Sequence, residues 1–176
     1  TTAVFTDYNF AFEGGSSDFN FKLTSGVRDG NLKQDYTYYH SSLHNIKFGW
    51  NYTLHRFIPT STEASSNDVE FDTGEKVKIW GNEAAIYLLD DWSVNERLKV
   101  NFGMRLSMYQ HIGPFTRYFN NENTGTTDST INYSSGKPIK TYFGPEPRLS
   151  ARYLLPDNSS FKLGIAHNYQ YIHLAS

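Results

Sequence analysis

Residues 90–107, DDWSVNERLKVNFGMRLS, decide how the rest of the chain is read. The stretch holds the end of one β-strand, a tight polar turn and a long strand that starts at Leu98. In that second strand Leu98, Val100, Phe102, Met104, Leu106 and Met108 are apolar, while Lys99, Asn101, Gly103, Arg105, Ser107 and Tyr109 are polar, small or amphipathic. Side chains alternate faces along a strand, so one face is apolar from end to end and the other carries the charges. The run from Leu98 to Gln110 exceeds the roughly 9–11 residues with which a tilted strand crosses a bilayer. The expected fold is all-β, an antiparallel transmembrane β-barrel segment.

The totals agree without deciding. Aromatic residues are 16% of the 176, with 13 Tyr and 13 Phe, yet mean hydropathy is negative, at -0.57. Aromatic girdles around a wet lumen give that combination, and so does a soluble β-sandwich or sugar-binding module. A net charge of -2 gives no reason to expect nucleic acid. The absence of cysteine excludes disulfides and thiolate metal sites. No run approaches 18 apolar residues, which excludes a membrane-spanning helix but not a membrane strand. The opening TTAVFTDYNF is strand-like and carries no leader pattern, as expected of a mature chain or a piece of one.

Polar interruptions divide the chain into about seven strand-like runs. The first two, 2–12 and 19–27, place Val4, Tyr8, Phe10 and Phe12, then Phe19, Phe21, Leu23 and Val27, in single parities. The apolar phase shifts by one across 28–31 and resumes as Leu32, Tyr36 and Tyr38. Such a shift predicts either a β-bulge in one long strand or an Asp-Gly hairpin. The next run alternates Ile46, Phe48, Trp50, Tyr52 and Leu54 with Lys47, Gly49, Asn51, Thr53 and His55. In 80–92 the parity is ambiguous. Two late runs, 148–155 and 161–171, flank the turn at 156–159. Connections alternate between short turns near 41–43, 93–96 and 156–159 and long loops near 60–78 and 112–141. Short turns on one rim and long loops on the other mark an outer-membrane barrel, and the bulge keeps that order where the hairpin breaks it.

Charge follows the same division. In the clear strands Arg56 alone is charged on the apolar parity, while Lys33, Asp35, Lys47, Lys99, Arg105, Arg148, Arg152 and Lys162 take the other. A Lys or Arg facing lipid costs about 2–4 kcal/mol at the midplane. No run has the i, i+3, i+4, i+7 spacing of a helix, which removes α/β folds.

The strings AAIYLLDDWSVNERLKVNFGMRLS and FGPEPRLSARYLLPDNSSFKLGIAHNYQYIHLAS, with HNIKFGWNYTLHRF, resemble the barrel of TonB-dependent outer-membrane receptors. The nearest kind is the SusC-like and carboxypeptidase-regulatory-like group of Bacteroidetes. The resemblance covers most of the chain from about residue 27. It implies a 22-stranded barrel plugged by an N-terminal domain, in the bacterial outer membrane, importing a scarce nutrient such as a glycan, peptide or metal chelate. The implied partners are outer-membrane lipid, the plug and the rest of the same barrel, TonB acting through an N-terminal region outside this sequence, and a surface lipoprotein lid. No cofactor or enzymatic activity is implied. Seven strands are about a third of such a barrel, so residues 1–176 are expected to be a partial barrel domain without its plug.

Asp90 and Asp91 are adjacent and point to opposite faces, a poor arrangement for paired acid/base work; capping or a basic neighbour suits them better. His40 and His44 straddle a turn rather than share a helix face, so no metal site is expected there. His167 falls on the apolar parity. Lys47, Arg105, Arg148 and Arg152 are expected to face the lumen and meet acidic groups of the plug, of neighbouring strands or of ligand. Ligand capture is expected at the outer rim, from Trp80 at the end of the first long loop, His111, Phe115, Arg117 and Tyr118 at the start of the second, and Tyr142 at its close. Aromatic faces beside an Arg suit sugars, peptides or aromatic chelates. A soluble all-β ligand-binding module is the competing reading. It would bury the apolar rows between two sheets about 10 Å apart.

Overall fold

In a computed structural model describing residues 1–16, 19–66, 69–72, 78–120 and 127–172, the chain is antiparallel β without a helix among those residues. The strands are β1 (Thr2–Ser16), β2 (Phe19–Tyr39), β3 (His44–Ser66), β4 (Val69–Asp72), β5 (Ile79–Ser93), β6 (Leu98–Ile112), β7 (Phe115–Asn120), β8 (Thr127–Tyr133), β9 (Pro138–Leu154) and β10 (Ser160–Ala166). One sheet runs β1-β2-β3-β5-β6-β9-β10, with β4 beside the end of β3, and β7 and β8 pair as a separate hairpin. Strand therefore continues into both stretches expected to be loops. There, β3–β4 and β7–β8 form hairpins because Thr, Ser and aromatic residues suit a ladder as well as a loop. Positions 67–68, 73–77 and 121–126 of those stretches lie outside the described residues.

Direct cross-strand partners point to the same side, so the register fixes the two faces. Phe48, Leu88 and Met104 line up across β3, β5 and β6, as do Trp50, Ile86 and Leu106. This resolves the parity of β5: Ala84, Ile86 and Leu88 take this face, called outer below, and Ala85, Tyr87 and Leu89 the inner one. Phe143, Leu149 and Tyr153 of β9 and Phe161, Leu163 and Ile165 of β10 continue the outer face. Phe48 is 41% exposed, Trp50 38%, Phe102 43% and Leu106 49%. Among the described residues no second sheet covers them, which removes the sandwich. Of the buried residues, Thr53, Ala85, Ser107, Tyr109 and Glu146 lie on the inner face, and Ile112, opposite Trp80 at the end of β6, on the outer one.

The phase shift at 28–31 has another origin than a bulge or a hairpin. Both ladders of β2 run unbroken from Gly26 to Lys33. The irregularity lies higher, where Pro59 and Thr60 of β3 stand opposite the single Ser25 of β2. Proline brings no N–H to a ladder, so a bulge is where a strand accommodates it. The sequence changes phase because the surroundings change. Above Arg28, Tyr8, Phe10, Phe12, Phe21 and Leu23 occupy the inner face, and Phe12 and Phe21 are in ring contact at 5.7 Å. The outer face there carries Asn9, Glu13, Lys22 and Thr24, with Glu13 and Lys22 ion-paired. The parity expected for β1 holds, but the face it occupies is inner.

Three turns at one end share a device. Ser41 Oγ accepts from the N–H groups of Leu43 and His44, both at 3.2 Å. Asn95 Oδ1 accepts from Arg97 at 2.9 Å and Leu98 at 2.8 Å. Asp157 Oδ1 accepts from the Ser159 N–H at 3.0 Å. Short polar side chains that mimic a backbone carbonyl nucleate such turns. In the third, Leu155 accepts from Asn158 N–H at 3.1 Å, and Asn158 then takes the left-handed conformation, with φ of 67°.

The last strand is shorter than expected, ending at Ala166 rather than near 171. The His167 N–H donates to the Pro147 carbonyl at 3.1 Å. The amide N and carbonyl of a strand residue point the same way, so positions 147 and 145 turn toward β10 and, being proline, offer it no N–H. The ladder stops there, and residues 167–172 leave it to cross the inner face.

Candidate functional site

The inner face carries a chain of charges across five strands. Cross-strand register brings together Asp29 of β2, His55 of β3, Glu83 of β5, Arg105 of β6 and Glu146 of β9. Asp29 Oδ1 lies 2.9 Å from His55 Nδ1, and His55 Nε2 lies 3.6 Å from Glu83. Arg105 is 3.5 Å from Glu83 and 3.7 Å from Glu146. Arg148 approaches Glu146 at 3.6 Å and donates to Asn168 Oδ1 at 3.0 Å. The Glu146 side chain is 6% exposed, so two guanidinium groups offset its desolvation. Glu83 lies between His55 and Arg105, and Glu146 between Arg105 and Arg148. The arrangement holds side chains in place and lacks an activated nucleophile.

The crossing segment seats on small residues. Tyr171 stacks on Tyr109 at 5.7 Å and on Tyr169 at 6.0 Å, and its hydroxyl lies 2.8 Å from Ser107 Oγ. Ser107 in turn donates to the Gly144 carbonyl at 3.2 Å. A Cβ at Gly144 would lie 2.3 Å from the Tyr169 ring and 2.6 Å from the Tyr171 hydroxyl, so only glycine admits this approach. A recess of about 270 Å³ remains between the segment and Asp29, His55 and Glu83.

Of the residues singled out from sequence, Lys47, Arg105, Arg148 and Arg152 all occupy the inner face. Lys47 bonds Asp91 at 2.6 Å, Arg105 and Arg148 share Glu146, and Arg152 has Lys99 and Lys162 as cross-strand neighbours. Asp90 and Asp91 do point to opposite faces, each to a basic or imidazole partner, Asp90 to His44 at 2.6 Å. Among the described residues no cluster of His, Cys, Asp and Glu has metal-site geometry.

The rim residues divide. Trp80 pairs with Arg56 across β3–β5, on the outer face, with the guanidinium 5.5 Å from the ring. His111 and Tyr142 are on the inner face; His111 contacts Phe115 at 5.6 Å, and Tyr142 lies 6.5 Å from Tyr109. Arg117 sits over Phe119 at 4.8 Å and Tyr118 is exposed, both on the β7–β8 hairpin. Sequence reasoning passed over Asp29, His55, Glu83, Glu146, Tyr109, Tyr169 and Tyr171. Parity puts His55, Glu146 and Tyr109 on the inner face, which was signal enough; Asp29 lies at the phase shift and Glu83 in the run of ambiguous parity, and only the shortened β10 brings Tyr169 and Tyr171 onto that face.

A family model, the TonB dependent receptor-like β-barrel, matches residues 1–171. No curated protein and no solved structure matches the chain.

Proposed function

The chain belongs to the TonB-dependent receptor β-barrel family, a family of outer-membrane transporters rather than enzymes, and from that premise we propose that it forms part of the wall of an importer for a scarce nutrient. The observation that carries the reading is the outer face. From Leu98 to Met108 it is apolar over ten residue steps, about 34 Å along the strand and about 26 Å upright at 40° of tilt. That matches the apolar band of a membrane barrel, about 25 Å tall. Charge on this face is paired, as Asp7 with Arg28 at 2.9 Å and Arg56 over Trp80 towards one end, and as Asp90, opposite Phe102 within the band, bonded to His44 at 2.6 Å.

In this reading the three short turns are periplasmic, and the β3–β4 and β7–β8 hairpins project outside the cell. The wall is completed by further strands of the same barrel and encloses a plug, with TonB acting through the N-terminal region. His111, Phe115, Arg117, Tyr118 and Tyr142 form the ligand-facing part of the outer rim, and Trp80 belongs to the lipid girdle. The quoted strings support the SusC-like group, whose ligands are glycans or peptides and whose members work with a lipoprotein lid; a metal chelate is the third ligand class.

The test is growth of a deletion strain, with and without the full-length receptor, on oligosaccharides, peptides and chelated iron as limiting nutrients. Receptor-dependent growth on one class, abolished by loss of TonB, is the expected result. Recovery of the receptor in the soluble fraction, or growth indifferent to TonB, would refute the reading.

A further inference from the structure

Three strands meet at His55, and the charges around it balance only if the ring is a cation. Asp29 and Glu83 stand on either side of it, 2.9 Å from Nδ1 and 3.6 Å from Nε2. Glu83 continues to Arg105, and Arg105 with Arg148 to Glu146. Asp29, Glu83 and Glu146 are thus set against two guanidinium groups. The set is neutral with an imidazolium at His55 and anionic with a neutral ring. A neutral imidazole donates from one nitrogen and presents a lone pair at the other, so one of the two flanking carboxylates would face that lone pair. Stacking on Phe57 at 5.6 Å holds the ring in place, and the side chain is 13% exposed.

The other groups around the ring do not supply the missing charge. On β2, Arg28 points to the outer face and pairs with Asp7 at 2.9 Å. On β5 the direct partner of His55 is Gly81. On β6, Tyr109 stands opposite Glu83, and His111, opposite Gly81, contacts Phe115. Lys140 of β9 lies beyond His111, over the Tyr142 ring at 5.0 Å. The crossing segment brings the uncharged Tyr169, Gln170 and Tyr171. Tyr52 stands level with Met108, through Ala84, at the end of the apolar band. His55 is beyond Tyr52 on the side away from the short turns, outside the band and on the wet face, where its proton exchanges with water.

We infer that His55 is a proton-operated tie in the wall, joining Asp29 of β2 to Glu83 of β5 across β3 while it is protonated. When the proton leaves for water, Glu83 is left to Arg105 alone. The recess of about 270 Å³ that Asp29, His55 and Glu83 share with the crossing segment then becomes anionic. Histidine is the side chain whose ordinary titration falls between about pH 5 and 8. A bond made only by the protonated ring stabilises the fold at low pH and is lost as the pH rises through its titration.

The test is urea-dependent folding of the full-length receptor into lipid vesicles at about pH 6 and about pH 9, which span the upper part of that range. The unmodified receptor is compared with H55N and with E83Q, which keeps the ring and removes the carboxylate at Nε2. The advantage of the unmodified receptor over H55N should fall about tenfold from the lower pH to the higher, the scale of a hydrogen bond to a charged group. The advantage over E83Q should fall in the same direction, which keeps the inference testable where H55N does not fold. In ¹⁵N-histidine spectra, the signals that either variant removes or shifts should show a proton on both ring nitrogens at the lower pH and on one at the higher. An advantage over the variants that is constant with pH, or grows as pH rises, overturns the inference. So does a His55 ring in the same protonation state at both ends of the range.

Discussion

Leu106→Arg puts the membrane reading at risk most directly. Leu106 lies two residues from the upper end of the apolar band, on the outer face beside Ile86 of β5 and Pro145 of β9. It is 49% exposed and next to no opposite charge. If hydrocarbon covers it, the substitution costs about 1–3 kcal/mol, between the midplane cost of about 2–4 and the interfacial one of about 0–1. At tenfold per 1.4 kcal/mol, that lowers the folding equilibrium about 5- to 140-fold. If water covers it, an arginine at a half-exposed site changes stability by no more than about 0.5 kcal/mol. Asn101→Lys, on the inner face of the same strand, is the control. It places an amine beside Asp91 and should shift stability by less than about 1 kcal/mol in either reading. The assay is urea-dependent folding of the intact receptor into lipid vesicles, followed by tryptophan fluorescence and by electrophoretic mobility before and after heating. Leu106→Arg within about 0.5 kcal/mol of the unmodified receptor would show that the outer face does not meet lipid.

Gly144→Val should displace residues 167–172, at an overpacking cost of about 1–3 kcal/mol, and hydrogen exchange should rise at the amides of 167–172 with little change in β6. Glu146→Ala removes the carboxylate that part-exposed Arg105 and Arg148 share, while Arg105 keeps Glu83, and should destabilise by about 1–2 kcal/mol, whereas Lys33→Ala, which breaks an exposed pair, should cost about 0.5 kcal/mol or less by the same urea titration. Asn158→Val should cost about 1–2 kcal/mol, because a β-branched residue resists the left-handed region, and Asn158→Gly should be close to neutral. The Ser159 hydroxyl and N–H hold the Asp157 carboxyl below the usual aspartate range. A lowered folded value means that the turn's contribution is intact above the ordinary aspartate pKa and disappears as pH falls through the lowered one; protection of the Ser159 amide should follow that course, and protection that falls instead on raising the pH would contradict it.

Most of the sheet was legible because one signal, period-two alternation, reports both strand and face. The inner placement of Lys47, Arg105, Arg148 and Arg152 follows from parity alone. Alternation reports a change of phase, however, and not its cause. At 28–31 the backbone is regular and the surroundings change, since the outer face leaves its apolar band where Arg28 meets Asp7. The true bulge, at Pro59, is hidden because the residues that follow it, Thr60, Ser61 and Thr62, carry no hydropathy contrast. The inward course of Tyr169 and Tyr171 was hidden for a different reason. Their own stretch alternates like any strand, and the instruction to stop is written about twenty residues earlier, in Pro145 and Pro147. A hydrogen bond that one strand fails to offer is visible only once its neighbour is known.

Those two prolines also bear on assembly. Over 145–147 the margin of β9 presents oxygens that receive but no amide that gives. A sister molecule docking there edge to edge, turned about a two-fold axis, would bring the same deficiency to the join, and the stretch could not zip shut. A growing wall must leave its last rib bare until the next arrives, and that bare rib is where runaway pairing between unfinished copies begins. The proline pair makes this stretch a poor template for its own kind.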